Sequence, residues 1–197
     1  AEARRVHTIE TSETVLAQIS KRDNPQTVIG AYRQRLTPLD QISGDTVVAL
    51  EGVRDPGNLG TILRTADSTG AGGVILVGES CDPFSVEAVR ASMGSIFTQK
   101  LVKTDTGTLA DWKKRRGARI IGTWCGEAKA YRSYNYPEDM ILLMGSEQKG
   151  LQPQHLALCD ELVHIPMRGY VDSLNLACAA SVVLFEIFDQ REKMKEK

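Results

Sequence analysis

The chain has 197 residues, enough for one well-buried domain with a small appendage. Hydrophobic residues make up 42% and charged residues 25%, as in ordinary globular proteins. The net charge of −1 excludes a global attraction to nucleic acid, so any RNA-binding field has to be local.

The cysteines and the apolar runs exclude a disulfide framework, a metal site and a membrane-spanning segment. Four cysteines lie far apart without a CxxC pair, so we expect neither a disulfide framework nor a metal site. The longest apolar run, residues 174–188, is too short to span a bilayer and contains Asn175 and Glu186. No signal peptide opens the chain, so we expect a cytoplasmic location and no membrane partner.

Residues 1–45 differ in composition from the rest of the chain. They are polar, contain one apolar run (TVIGAYR) and end in the turn-prone segment LTPLDQISGD. We therefore predict an N-terminal extension, or the remainder of another domain plus a linker, over residues 1–45, and a separate domain over 46–197. The basic residues of this first segment are Arg4, Arg5, Lys21, Arg22, Arg33 and Arg35.

From Thr46 onward, short apolar runs alternate with helical patterns. Continuous Val, Ile and Leu runs are typical of strands covered on both faces. The alternation predicts one α/β domain, with a mostly parallel sheet and helices on both of its faces. The predicted strands are TVVALEGV, GGVILVG, ARIIGTWC, DMILLMGSE and ELVHIPM. The predicted helices are LGTILRTADSTGA, SVEAVRASMGSIF, TLADWKKRRG, PQHLALC and a long one from Leu174.

The segment EGVRDPGNLGTILRTAD predicts an anion-binding corner. A turn leads into a helix with Asn58 as the expected N-cap, and its core-facing residues are Leu59, Ile62, Leu63 and Ala66. Arg64 lies off this apolar stripe and would reach back over Gly60, which has no side chain to block it. Its guanidinium would join free backbone N–H groups at the helix start. In isolation, a turn glycine and a solvated surface arginine explain these residues equally well.

The segment MILLMGSEQKGL predicts a ligand-binding loop after an apolar strand. Ligands of open α/β sheets bind beyond the carboxyl ends of the strands, where this loop would lie. Gly145 permits close backbone approach, and Glu147 would place a carboxylate at the rim. Taken alone, an ordinary loop with a surface glutamate is the better explanation.

The segment HIPMRGYVDSLNLACAASVVLFEIF predicts a helix that starts near another strand end. Ser173 is the expected cap, and Asn175 lies in the first turn. The helix is apolar on all sides through Phe188, so we expect it to be buried or to pack against a partner. A central core helix accounts for the pattern, with or without a ligand at its N-terminus.

Together, in this order and spacing, the three segments resemble the SpoU/TrmH family of RNA 2′-O-ribose methyltransferases in the SPOUT superfamily. The resemblance covers roughly residues 47–188. The matching residues are Asp55-Pro56, Asn58, Gly60, Arg64-Thr65-Ala66, residues 90–94, Gly145, Glu147, Gly150-Leu151, Ile165-Pro166-Met167 and Ser173-Leu174-Asn175. The chain departs from many relatives at Ser146, Gln148 and Leu176-Ala177, which affects the RNA substrate more than the reaction class.

The resemblance implies a fold and a cofactor that residue patterns alone do not. It implies a C-terminal deep trefoil knot and a bent S-adenosylmethionine (AdoMet) bound against the knot loops, with S-adenosylhomocysteine as product. It also implies a homodimer through the C-terminal helix and an N-terminal RNA-binding accessory domain, of which residues 1–45 resemble the end. The implied cofactor-binding residues are Thr123, Gly145, Ile165, Met167, Ser173, Leu174 and Asn175.

The resemblance further implies methyl transfer to a ribose 2′-hydroxyl of structured RNA, with rRNA favoured over tRNA. We expect Arg64 to hold a phosphate and stabilise the developing alkoxide, because a guanidinium with a pKa above about 12 is a poor base. Glu147 would orient Arg64 or Asn58, and Asn175 and Ser173 would fix the cofactor and ribose. The alternatives are a catalytically inactive RNA-binding module with the same fold and, more distantly, a SPOUT enzyme that methylates a base.

Overall fold

The computed structural model describes residues 7–21 and 23–195, and the chain divides into two compact units, Ala1–Gln34 and Arg35–Lys197. In the first unit, helix α1 spans Glu13–Ser20. The hydroxyl of Ser12 caps it by accepting a hydrogen bond from the backbone N–H of Val15 at 3.4 Å. No residue of α1 is buried. The basic residues Arg4, Arg5 and Arg22 lie outside the described residues.

The second unit is built on a parallel sheet. Among the residues that the structure describes, its strands are β1 (Thr46–Glu51), β2 (Val74–Val77), β3 (Leu101–Thr104), β4 (Arg119–Thr123), β5 (Lys129–Ala130), β6 (Met140–Met144) and β7 (Glu161–His164). Their order across the sheet is β3-β2-β1-β6-β4-β7-β5, and every neighbouring pair is parallel. The predicted α/β fold with a mostly parallel sheet is confirmed.

Helices cover both faces of this sheet because its strands are apolar on both sides. The helices are α2 (Pro56–Ser68), α3 (Val86–Ala91), α4 (Thr106–Arg116), α5 (Pro153–Leu156) and α6 (Leu176–Lys195). Side chains alternate along a strand, so Val48 and Leu50 of β1 join the cluster formed with α2 and α6. Val47 and Ala49 join the opposite cluster, which includes Leu109 of α4.

Two helices begin at other residues than predicted. The N-cap of α2 is Asp55, whose Oδ1 accepts a hydrogen bond from the backbone N–H of Asn58 at 2.6 Å, so Asn58 is not the cap. Pro56 can take the first helical position because it has no N–H to leave unpaired. At α6, the hydroxyl of Ser173 instead donates to Asp172 Oδ1 at 3.2 Å, and Asn175 caps the helix.

Two strands and a helix break were not predicted. Strand β3 is only partly buried, and β5 has two residues at the sheet edge, so neither gives a strong apolar pattern. The predicted helix over SVEAVRASMGSIF ends at Ala91. The chain then takes positive φ angles at Met93 (50°) and Gly94 (97°) before a short 3-10 turn, which a continuous α-helix does not allow.

Residues 35–45 belong to the second unit by their contacts, although they lie in the segment 1–45 that we predicted to be an extension or the remainder of a domain plus a linker. The backbone N–H of Thr37 donates to the carbonyl of Leu101 at 2.7 Å, and Ile42 is buried in the core. Residues 35–45 therefore pack with the sheet, through the hydrogen bond to β3 and the buried side chain of Ile42.

Helix α6 is buried on one side only within this chain, and its sequence predicts that it is either buried or packed against a partner. Leu176, Ala180 and Val183 face the core, but Phe185 and Phe188 are 50% and 38% exposed. These two rings pack edge to face at 6.3 Å. Within the described residues, no helix is both long enough and apolar enough to cross a membrane.

Gly60 allows helix α2 to pack closely on α3. A Cβ at this position would lie 2.6 Å from Ala91 Cβ and 2.9 Å from the backbone nitrogen of Ser92. The space above Gly60 is thus filled by α3 and is not left open for Arg64.

Gly60→Ala should therefore lower the free energy of unfolding by about 1–3 kcal/mol, because the backbone of α3 has to move. Urea denaturation measures this. Gly169→Ala is the control, since a Cβ there meets no atom within 4 Å. Equal stability of both variants would contradict the close packing.

Candidate active site

The three motif segments meet at the carboxyl edge of the sheet. Asn58 lies in the first turn of α2, Glu147 follows β6, and Asn175 precedes α6. Asn58 Nδ2 donates to Glu147 Oε1 at 3.1 Å, and Asn175 Nδ2 donates to Asn58 Oδ1 at 2.9 Å. We call this chain of hydrogen bonds, Asn175 to Asn58 to Glu147, the amide relay.

Both ends of the amide relay are fixed by backbone N–H groups. Asn175 Oδ1 accepts from Ala177 and Cys178 at the start of α6, at 2.9 and 3.2 Å. The Glu147 carboxylate accepts from the N–H groups of Arg54 and Asp55, at 3.3 and 3.4 Å. An amide oxygen accepts and its nitrogen donates, so these ends determine the orientation of both asparagine side chains.

The Glu147 carboxylate is held in its ionised form. Partial burial raises its pKa, but hydrogen bonds from Asn58 and from the backbone N–H groups of Glu147, Arg54 and Asp55 lower it. The result is a pKa below the ordinary value for a glutamate. A carboxylate with a low pKa and occupied oxygen atoms is a weak base, so this geometry suits Glu147 to orienting Asn58.

The structure does not bring Arg64 to the amide relay of its own chain. Arg64 follows Asn58 by six residues, which is about 9 Å along the helix and about 120° around it. Its side chain is exposed and makes no hydrogen bond or ion pair with any residue that the structure describes. The neighbouring Thr65 is buried, and its hydroxyl lies 2.9 Å from that of Ser181 on α6. Arg64 therefore lies next to the α2–α6 contact.

Three predicted cofactor-binding residues lie at the ends of adjacent strands. Thr123 ends β4, Gly145 follows β6, and Ile165 follows β7. Gly145 is needed for the fold of its own loop, because a Cβ there would overlap the backbone of Gly150 and Leu151. The N–H of Gly150 closes this loop onto the carbonyl of Ser146 at 2.9 Å.

The other predicted cofactor-binding residues lie in the loop of residues 165–175. Met167 is partly exposed, and Ser173 and Leu174 are exposed. From residue 165 to residue 174, no backbone N–H or C=O group bonds to any of the described residues. This loop therefore presents partly exposed apolar side chains beside backbone donors and acceptors that remain available for a ligand.

A buried polar cluster beneath this edge was not predicted. His155 Nε2 lies 2.8 Å from the hydroxyl of Thr106, and His155 Nδ1 lies 3.0 Å from Glu51 Oε2 without hydrogen-bond alignment. Glu51 also accepts from the backbone N–H of Gln152 at 3.1 Å. The cluster thus links β1 to the segment that follows the Glu147 loop. No local pattern indicates it, because its members are distant in sequence.

Other types of site find no support in the described part of the chain. It contains no group of three or more His, Cys, Asp or Glu side chains placed to hold a metal ion. Burial raises the pKa of the Cys159 thiol to about 11, and burial together with the Glu147 and Asp55 carboxylates raises the pKa of Cys81. Neither thiol is poised as a nucleophile, because the thiolate form is disfavoured.

Residues 45–185 match the sequence profile of the SpoU rRNA Methylase family. The chain belongs to this family. The match includes all three motif segments and therefore the whole amide relay. It confirms the resemblance that Asn58, Glu147 and Asn175 carry in the sequence.

Known relatives support the same assignment. A 23S rRNA (uridine(2479)-2′-O)-methyltransferase of Streptomyces viridochromogenes is 33% identical over 181 residues, or 87% of this chain and 63% of that protein. An AdoMet-bound rRNA methyltransferase from Sinorhizobium meliloti is 44% identical with a TM-score of 0.87, covering 93% of this chain and 70% of that one. The SpoU methyltransferase AviRb from S. viridochromogenes, in complex with AdoMet, is 34% identical with a TM-score of 0.75, covering 79% and 62%.

The chain is shorter than several of the relatives that it matches. It spans 61% and 63% of the length of two curated relatives.

Proposed function

We propose that this protein uses AdoMet to methylate a ribose 2′-hydroxyl of structured RNA, with rRNA favoured over tRNA. The observation that carries the proposal is the amide relay, which joins the three motif segments at one edge of the sheet. The rRNA 2′-O-methyltransferase from S. viridochromogenes supports the reaction and the substrate class. We also propose a cytoplasmic location, which suits a chain whose four cysteines are free.

The loops at the carboxyl edge have the chemistry needed to hold AdoMet. Adenine has apolar faces and a polar edge, and Ile165, Met167 and Leu174 would supply apolar contacts beside the available backbone groups of residues 165–174. Thr123, Gly145 and Ser173 would complete the site. Bound AdoMet would supply an electrophilic methyl group with a neutral thioether leaving group, forming S-adenosylhomocysteine.

Catalysis would then consist of holding the 2′-oxygen in line and stabilising its negative charge. Bound AdoMet would supply the methyl group to the 2′-oxygen, and the hydroxyl proton would pass to water or to a phosphate oxygen. Arg64 would bind an RNA phosphate and stabilise the developing alkoxide, since its guanidinium has donors available. Asn175 would orient the cofactor and ribose, with Asn58 and Glu147 holding it in place.

Two measurements test the proposed function. Calorimetry should detect binding of AdoMet and of S-adenosylhomocysteine to the protein. Unmodified rRNA should acquire a 2′-O-methyl group when the protein and AdoMet are added to it. Absence of heat and of a thermal shift at millimolar AdoMet would contradict the cofactor assignment. A protein that binds RNA but transfers no methyl group would instead be the inactive RNA-binding module. The intact amide relay favours the enzyme.

We also propose a homodimer through α6. Phe185 and Phe188 expose an apolar face, and the Thr65–Ser181 contact puts Arg64 at its border. A dimer on this face would therefore bring Arg64 to the boundary between two subunits.

Light scattering at micromolar concentration should report a dimer for the wild type and a monomer for the Phe185→Glu/Phe188→Glu double variant, because two buried charges oppose association. Met194→Glu, at an exposed position later on the same helix, is the control. A monomeric wild type would contradict the proposal.

We propose that the C-terminal part of the domain forms a trefoil knot that includes residues 145–175. Strand β7 lies three positions from β1 in the sheet, yet Asn175 bonds to Asn58 directly after β1. The connection from β7 to α6 therefore has to cross the carboxyl ends of β4 and β6, close to the loop after Gly145. This crossing supports a knotted path, and an experimental backbone trace tests it. For the part of residues 1–45 that precedes the second unit, we propose the end of an RNA-binding accessory domain.

A further inference from the structure

Acidic and basic side chains differ in their pairing at the carboxyl edge of the sheet. Three acids beside or beneath the amide relay already accept hydrogen bonds or lie close to a cation: Asp55 caps α2, Glu147 ends the amide relay, and Glu51 accepts from the backbone N–H of Gln152 and lies 3.0 Å from His155 Nδ1. Their negative charge is directed toward the protein's own N–H groups. An anionic ligand that approaches the amide relay therefore meets acids whose oxygen atoms are turned to internal donors.

The cations Arg54 and Lys149 at the same edge have no such partners. Both are exposed, and neither side chain forms a hydrogen bond or ion pair with any other residue in ranges 7–21 and 23–195. Six cations elsewhere in the second unit are paired with carboxylates, whereas Arg64, Lys103, Lys114 and Arg168 have no carboxylate partner among the described residues. The pairs are Lys113 with Asp160, Arg115 with Asp40, Arg116 with Asp139, Arg119 and Lys129 with Glu161, and Arg191 with Asp45.

The backbone of Arg54 bonds to the amide relay, and the backbone of Lys149 lies in the turn that contains Glu147. The N–H of Arg54 donates to Glu147 Oε2 at 3.3 Å. The N–H of Lys149 donates to the hydroxyl of Ser146 at 3.4 Å, in the turn that contains Glu147. Both side chains therefore start within two residues of a group bonded to Asn58, while their charged ends remain available.

We propose that Arg54 and Lys149 bind backbone phosphates of the substrate RNA beside the target nucleotide. A guanidinium can grip two phosphate oxygens at once, and an ammonium acts as a compact point charge. The two residues position the RNA and do not touch the reacting atoms. The inference rests on the proposed function for its RNA substrate, and it explains how a chain of net charge −1 can attract a polyanion locally.

RNA binding at several salt concentrations tests the proposal, with unmodified 23S rRNA and unmodified bulk tRNA as separate probes. The Arg54→Ala/Lys149→Ala variant should bind the preferred RNA roughly 10-fold more weakly, with a salt dependence reduced by about 0.7–0.9 log units per lost phosphate contact. KM for RNA should rise while kcat and AdoMet affinity stay within about twofold. Arg54→Lys should retain most of the salt dependence, because the charge is kept.

Arg115→Ala/Arg119→Ala is the matched control. It removes the same charge from two exposed arginines at the opposite edge, where α4 ends and β4 begins. An equal loss of binding in this control, an unchanged salt dependence in the Arg54/Lys149 variant, or no salt-dependent RNA binding by the wild type would overturn the proposal. A wild type that binds RNA in this way but transfers no methyl group contradicts only the proposed function, since binding alone decides the role of Arg54 and Lys149.

Discussion

Arg64→Ala should reduce single-turnover methyl transfer by ~100-fold or more, the effect of losing one preorganised donor that stabilises developing charge. Its melting temperature and AdoMet affinity should stay close to the wild-type values. The side chain is exposed and makes no contact with the described residues that would stabilise the fold. Single-turnover methylation of rRNA at saturating protein separates this chemical effect from weaker RNA binding.

Arg64→Lys should restore little of the activity, because an ammonium lacks the planar pair of donors that can bind a phosphate and the 2′-oxygen together. Arg115→Ala is the control, since it removes an exposed arginine whose ion pair with Asp40 contributes little. Wild-type turnover in Arg64→Ala would show that the catalytic role assigned to this residue is wrong, even though the family membership stands.

Glu147→Gln should reduce methyl transfer by roughly 10- to 100-fold, because a small displacement of a positioning group is costly. The carboxylate accepts hydrogen bonds from Asn58 Nδ2 and from the N–H groups of Arg54 and Asp55. A glutamine has one acceptor oxygen, and its NH₂ group would face another donor. Asn58 would then lose its fixed orientation, and its Oδ1 would no longer be placed to accept the hydrogen bond from Asn175 Nδ2.

The same substitution should change how stability depends on pH. Because folding lowers the pKa of Glu147, its ionised form stabilises the protein above the pKa of the unfolded chain. That contribution is lost as the pH falls through the lower, folded-state pKa. The difference in unfolding free energy between wild type and Glu147→Gln should thus be largest near neutral pH and shrink in acid, as measured by urea denaturation.

Glu79→Gln is the control for both readouts, since Glu79 is exposed and makes no side-chain contact among the described residues. A Glu147→Gln variant with wild-type turnover would contradict the positioning role of the amide relay. A stability difference that does not change with pH would contradict the lowered pKa.

The sequence predicted the fold wherever a residue pattern has one structural solution. The apolar runs of β1, β2 and β6 are buried on both faces, and Leu59, Ile62, Leu63 and Ala66 of α2 face the core as their spacing predicts. Helix starts were less predictable, because Asp55 and Asn58 are both good caps and only the proline between them favours the earlier one.

The site was predicted in part. The order of the three motifs predicted which residues belong to the site. Asn58 was one of the two residues, with Arg64, that we expected Glu147 to orient. The hydrogen bond from Asn175 to Asn58 was not predicted, since it joins residues 117 positions apart and depends on how two loops cross. Helical periodicity placed Arg64 outside the core, but it could not show that Arg64 and the relay lie apart within one subunit.

The sequence separation of the amide relay has a consequence for synthesis. Its members come from the first third, the last third and the start of the final helix of the domain, at positions 58, 147 and 175. During translation, Asn58 leaves the ribosome long before Glu147, which accepts its hydrogen bond, and Asn175, which donates one to it. Because each member is oriented by the next, a nascent chain has no organised site until α6 has emerged, so methyl transfer should begin only once synthesis of the domain is nearly complete.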